Sequence, residues 1–248
     1  MKLDTKKGGF TLVELLVSIS IFFIVTAVVL TNYPRFGSNL AIETLTQDIA
    51  LTIRQAQVFG SAILGTTADS GLESVSPQVF NAYGVHFPLI PTDVDLNPVS
   101  YTYTIFADVP GAAGGSNNRY DGETGIECGS PMAANECLTN YVVSSRRYGV
   151  EKFCKNFYRI GFGGSTKQRI EEGCDANHQL KNLDIVFVRP HLEAIFNATN
   201  IFGTNEIPSS ISNVAIIVSS GDGSLKRAIV VWKTGQISTE KAIITTQQ

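Results

Sequence analysis

One carboxylate sits where an apolar run should exclude it. From Phe10 to Leu30 there are 21 residues and a single charge, Glu14. As a helix rising 1.5 Å per residue, the run is about 31 Å long, enough to cross a bilayer core. An ionised Glu inside such a span costs roughly 2.5–3.5 kcal/mol on insertion scales. Cutting the chain between Gly9 and Phe10 removes the anomaly. The new α-amine of Phe10 carries positive charge, and Glu14 lies one helical turn further on the same face. A carboxylate in the first turn also complements the positive end of the helix dipole.

Other residue types that do chemistry are scattered. The four cysteines, Cys128, Cys137, Cys154 and Cys174, lie well beyond the apolar run. An even count outside the cytoplasm points to disulfides. Three pairings are open, and Cys128–Cys137 with Cys154–Cys174 is the simplest because each closes a short loop. Zinc competes as a reading, but no Cys-x-x-Cys knuckle is present. Asp108, Asp121 and Glu123 flank a Gly-rich loop, residues 110–118, and are candidate calcium ligands. EF-hand spacing is missing there, and a solvated turn is favoured. Residues 161–167 lack the Gly-Lys-Ser/Thr ending of a phosphate loop. His86, His178 and His191 have no neighbouring acid, Ser or Cys that singles them out. Asn197-Ala198-Thr199 is a glycosylation triplet of little weight. No catalytic residue, metal or cofactor is expected, and the chain is not expected to be an enzyme.

The basic leader Lys6-Lys7-Gly8-Gly9 followed by Phe10-Thr11-Leu12-Val13-Glu14 resembles the class III signal of type IV pilins and type II secretion pseudopilins. The resemblance implies that a prepilin peptidase cuts after Gly9 and N-methylates Phe10. It implies that Glu14, fifth in the mature chain, guides docking into a growing fibre. It also implies other pilin or pseudopilin subunits and an inner-membrane assembly platform as partners, besides membrane lipid. Leu51–Gln57, with an Arg two positions before an Ala, is similar to a segment of the H-type minor pseudopilins and related minor pilins. An ordinary amphipathic helix explains it nearly as well. The strand pattern Tyr-Gly-Val-x-Phe at 83–87 and a terminal hairpin ending Lys-Thr-Gly-Gln-Ile match that family loosely. A Cys-bearing insertion at about 107–180 departs from it.

These residues need a stem and a platform. The expected organisation is a leader over 1–9, a transmembrane helix over 10–30, a second half of the stem helix over 31–60, and a β-rich head over 61–248. Pro34 and Gly37 are expected to interrupt the helix. Leu45, Ile49, Ile53 and Ala56 then make an apolar stripe for packing on a sheet. Residues 61–78 read as loop. Alternation marks strands at 83–87 and 101–105. Shorter strands are expected at 141–145 and 158–162, and a buried one at 183–188. Residues 214–219 and 225–232 flank Ser220-Gly221-Asp222-Gly223, a hairpin signal, and 237–244 make a last strand. The fold class is α+β: a long N-terminal helix packed on an antiparallel sheet.

Lys2, Lys6 and Lys7 precede the span, so the positive-inside rule leaves the head outside the cytoplasm. The expected location is a single-pass inner membrane protein and then a filament. The formal charge is −3, and removing the leader makes the side-chain balance −5. No nucleic-acid partner is expected from that balance. Arg146-Arg147 reads as a solvated strand face or turn. The leading reading is a structural minor pilin or pseudopilin, in a pilus serving adhesion, motility or DNA uptake, or in a secretion pseudopilus. The alternatives are a filament-tip binding module (an adhesin or DNA receptor) and a membrane-anchored periplasmic domain that never assembles.

Overall fold

The computed structural model describes residues 9, 11–61, 82–88, 101–108, 117–122, 128, 136–143, 148–160, 167–169, 174–188 and 193–241. The chain divides into two compact units, Met1–Leu40 and Ala41–Gln248.

The architecture is α+β. One helix, α1, runs Leu12–Ser61 and contributes to both units. Its backbone stays helical through Pro34 and Gly37, where an interruption is expected from sequence. A single Pro removes one i→i−4 bond and bends a helix, and a Gly costs about 1 kcal/mol. The helix-forming residues on both sides outweigh these losses. In the first unit, the large apolar side chains from Leu12 to Leu30 are exposed on every face of the helix. Leu12–Leu30 is long and apolar enough to cross a membrane.

The second unit joins the end of α1 to eleven strands: β1 Ala82–Phe87, β2 Tyr101–Asp108, β3 Cys137–Val143, β4 Tyr148–Lys155, β5 Tyr158–Ile160, β6 Lys167–Arg169, β7 Gln179–Val188, β8 Ala194–Asn200, β9 Asn213–Ser220, β10 Lys226–Trp232 and β11 Ile237–Lys241. Nine form one antiparallel sheet, while β5 and β6 pair only with each other. The sheet forks at β7. Leu180 pairs with Phe153 of β4 and Asn200 of β8, and residues 183–187 pair with both β1 and β8. So β1 and β4 leave the same edge of β7, and β8 lines the other. One arm is β1-β2-β3; the other is β4-β9-β10-β11.

The helix stripe makes the main core. Ile49, Ile53 and Ala56 are 0 % exposed, and Ile42, Leu45 and Ala50 join them at helical spacing. They meet Val85, Phe87, Tyr103, Ile185 and Phe187 on one face of the sheet. Each buried Ile or Leu of the stripe contributes about 1.5–3 kcal/mol. Thr46 and Thr52 lie in the same stripe because their hydroxyls donate to Ile42 and Asp48 carbonyls (2.7 and 2.9 Å). Polar ties fix the helix from the side: Arg227 Nη2 to Glu43 Oε2 at 2.6 Å, and Gln57 Nε2 donating to the Gly235 carbonyl at 3.0 Å.

The opposite face is buried too, which a helix on one side does not explain. Cys154, Phe157, Tyr158, Ile217 and Val230 form one cluster there, and Ala82, Phe106, Tyr120 and Val186 another. The covering segments come from 107–180. That stretch, expected as an insertion, is woven into the platform: it also supplies β3 at the end of one arm and β4 between β7 and β9. β4, β6 and β8 are not among the strands expected from sequence. In β4, a register shift between Val150 and Lys152 breaks the alternation, and in β8 a buried Asn197 hides it. The expected β9–β10 hairpin is present. Asp222 Oδ1 accepts the Ser220 hydroxyl (2.5 Å) and the Ser224 amide (3.1 Å), and these bonds hold the Asp222 carboxyl below its usual range. Gly223 takes the φ of +67° that the turn requires.

Candidate functional site

The head of α1 is built as a helix N-terminus. Thr11 precedes the first helical residue. Its carbonyl accepts the Leu15 amide at 3.2 Å and its Oγ1 accepts the Glu14 amide at 3.3 Å. Thr11 is thus the N-cap and Glu14 the third helical residue, the spacing of a capping box. The Thr-x-x-Glu pattern before an apolar run was available to find Thr11, yet the sequence reading singled out only Glu14. Glu14 occupies the first turn, where the helix dipole favours a negative charge.

Below Glu14 the span turns its polar atoms inward. Ser18, Ser20 and Thr26 hydroxyls donate to the carbonyls of Glu14, Leu16 and Phe22 at 2.7, 2.8 and 2.7 Å. Each hydroxyl is satisfied within the helix, which suits hydrocarbon surroundings. Glu14 remains the single charged side chain of the segment. Gly9 is exposed, and a Cβ built on it meets nothing within 4 Å. Phe10, residues 1–8, and therefore the cleavage junction's far side lie outside the described residues.

The other sequence candidates lie in the second unit. Cys128 is bonded to Cys137 and Cys154 to Cys174, with Cα–Cα distances of 5.2 and 5.4 Å. That is the simplest of the three pairings, and it leaves no described thiolates for zinc. Asp108 and Asp121 each accept hydrogen bonds from the Asn117–Asn118 turn. Asp108 is completely buried, not solvated, and its Oδ2 accepts the Asn118 amide at 2.9 Å. Asp121 accepts the Asn117 side-chain amide at 3.2 Å. Glu123 lies outside the described residues, among which no three His, Cys, Asp or Glu side chains could hold a metal ion. Asn197, of the glycosylation triplet, is 6 % exposed and donates to the Asn118 carbonyl.

Two histidines have acids that the sequence reading missed. His178 Nδ1 is 2.5 Å from Asp175 Oδ1, and this hydrogen bond lowers the Asp175 carboxyl's pKa. The three-residue spacing was a visible signal. His86 Nδ1 is 2.5 Å from Asp184 Oδ1, an acid 98 residues away that only the β1–β7 register delivers. This pair belongs to a cross-strand row: Asn140, Thr104, His86, Asp184 and Asn197 face one another in register across β3, β2, β1, β7 and β8. Tyr120 covers it, with its ring 4.9 Å from that of His86, and burial pushes the Tyr120 hydroxyl pKa up. The row is internally hydrogen-bonded, with the Thr104 hydroxyl donating to Asn140 Oδ1 at 2.6 Å.

Residues 4–30 match the family model described as the prokaryotic N-terminal methylation motif. No curated protein and no solved structure matches the chain. The matched segment contains the Gly9–Phe10 junction, the Thr11 cap, Glu14 and the whole apolar span. It is a type IV pilin-like class III signal, carried on a chain of α+β architecture. The motif implies processing by prepilin peptidase and assembly with other pilin subunits.

Proposed function

We propose that the protein is a structural pilin-like subunit, a minor pilin or pseudopilin, rather than an enzyme. The peptidase cuts after Gly9 and methylates Phe10. The apolar part of α1 anchors the mature chain in the inner membrane with its head outside the cytoplasm. An assembly platform then draws it into a filament, where Glu14 meets the new amine of a neighbouring Phe10. Repetition of one non-closing contact builds a helical fibre. The filament is a type IV pilus or a type II secretion pseudopilus, and the head sets what it presents.

The single observation that carries this reading is the methylation motif over residues 4–30. The lone carboxylate at the head of the apolar span Leu12–Leu30 supports it, because a free amine nearby supplies the missing countercharge. The exposed Arg54 beside buried Ala56 is compatible with an H-type minor subunit and equally with any amphipathic stem.

Co-expression with a prepilin peptidase tests it. Mass spectrometry should find a mature terminus at N-methyl-Phe10. A chain still starting at Met1 beside an active peptidase would overturn the proposal.

A further inference from the structure

The segment Asn117–Gly122 lies as a strap over the buried polar row of the sheet face away from α1. Three kinds of contact hold it. Two fully buried carboxylates accept its backbone: Asp108 Oδ2 takes the Asn118 amide and Glu136 Oε2 the Asp121 amide, each at 2.9 Å. Asn197, a member of the row, donates to the Asn118 carbonyl. Tyr120 inserts its ring between Phe106 and His86, with centroids 5.5 and 4.9 Å away. Beneath it, His86 and Asp184 are each only 9 % exposed.

The covalent tie is next to these contacts. Glu136, which holds Asp121, adjoins Cys137, and Cys137 packs against the cluster containing Tyr120 and Phe106. Its partner Cys128 follows the strap by six residues. The disulfide therefore ties a residue shortly after Asp121 to the residue next to Glu136, Asp121's hydrogen-bond partner. With the bond intact, Asp121 is tied to the Glu136 region through Cys128, seven residues on in sequence; with it broken, the Asp121–Glu136 hydrogen bond alone must hold positions 15 residues apart, at greater entropic cost.

The second disulfide is placed differently. Cys154 is 1 % exposed and sits in the cluster of Phe157 and Tyr158, while its partner Cys174 is half-buried like Cys128 and Cys137. A thiolate that attacks Cys174 must expel Cys154 as a thiolate inside an apolar cluster, where the charge is poorly solvated, whereas neither sulfur of Cys128–Cys137 is fully buried; the leaving group ranks the two bonds. We infer that Cys128–Cys137 is a reducible clasp on the Asn117–Gly122 strap, and that a dithiol opens it and uncovers the His86–Asp184 row while Cys154–Cys174 stays closed. In that step one reductant thiolate forms a mixed disulfide and the second resolves it. The protein gains two thiols, and the dithiol leaves as its own disulfide.

The test uses the full chain in detergent micelles, titrated with dithiothreitol and then alkylated with iodoacetamide. Diethyl pyrocarbonate is added next, and histidine labelling is read by peptide mass spectrometry. Cys128 and Cys137 should be alkylated first, with His86 labelling rising at least about tenfold as protection is lost. His178, beside the closed bond, should change less than about twofold. A Cys128→Ser, Cys137→Ser double variant should label at His86 without reductant. Tyr120→Ala should label it with both disulfides intact. Protected His86 in chains already alkylated at Cys128 and Cys137 would overturn the inference, as would simultaneous opening of both bonds. If the double variant does not fold, the titration of the unaltered chain still decides.

Discussion

The Thr11 hydroxyl accepts the Glu14 backbone amide, with N and Oγ1 3.3 Å apart, so the residue that caps the helix is bonded to the one that carries the charge of the apolar span. This separates two roles for position 14. As part of a cap, it needs a backbone amide and a polar side chain. As a docking charge, it needs a carboxylate. Glu14→Gln keeps the first and removes the second. We expect Glu14→Gln and Glu14→Ala to be cleaved normally and to enter filaments equally poorly. Thr11→Ala should weaken the cap by about 0.5–2 kcal/mol and leave most incorporation intact. The readout is the fraction of mature protein in sheared filaments against membranes. Incorporation of Glu14→Gln at the unaltered level would remove the charge role.

The Cys154–Cys174 bond closes the longer loop, with a sequence separation of 20 against 9 for Cys128–Cys137. Chain-entropy arguments assign such a loop about 3 kcal/mol, and about 0.7 kcal/mol less to the shorter one. Replacing both Cys154 and Cys174 by Ser should lower the urea midpoint of the head by about 1 M or slightly more. The Cys128→Ser, Cys137→Ser variant should lose less. The reverse order would mean that strap contacts, rather than loop closure, dominate.

Much of this architecture was legible in the sequence because two signals are local. The apolar span needs only a run of residue types, and the stripe at Leu45, Ile49, Ile53 and Ala56 needs only a period; all four are buried. The β9–β10 turn is written in Ser220-Gly221-Asp222-Gly223. The missing parts depend on register. His86 meets Asp184 only because β1 pairs with β7, and Asn197 is buried only because β8 lies beside them. A row of polar residues in strands reads as a solvated face until the strap that covers it is known. Pro34 misled for the opposite reason: a strong local signal was outweighed by its helical neighbours.

Burial raises the buried tyrosines' hydroxyl pKa values. Tyr103 is pushed up to about 12, chiefly by desolvation, against 10 for a free tyrosine. Tyr101, beside it, is raised well above the usual range by the same cause. An acid whose folded value is raised binds its proton longer in the native state than in the unfolded one. Its contribution is complete below pH 10 and falls away as pH rises toward 12. For Tyr103 this is roughly 2–3 kcal/mol. The head should therefore lose stability steeply above about pH 10, and Tyr103→Phe should flatten the loss between pH 10 and 12. Urea titrations at pH 8 and about 11 check this. An equal drop in both proteins would show that Tyr103 is not the group responsible.

At Gly60, α1 lies directly against β7. A Cβ there would sit 2.8 Å from Phe187 Cβ and 2.9 Å from the Phe187 carbonyl oxygen. Neither atom can move freely: Phe187 is completely buried, and its residue pairs with both Tyr83 and Ala194. Relief must come from lifting the end of the helix. Gly60→Ala would gain about 1 kcal/mol from helix propensity on an open surface. Here overpacking should prevail and destabilise the head by about 1–3 kcal/mol. Gly37→Ala provides the comparison, because its Cβ meets nothing within 4 Å and its position is helical. It should be neutral or stabilising. Thermal melts of both variants, read by near-ultraviolet circular dichroism, should show a lowered midpoint for Gly60→Ala and no lowering for Gly37→Ala. A stabilised Gly60→Ala would mean that the helix end is free to leave β7.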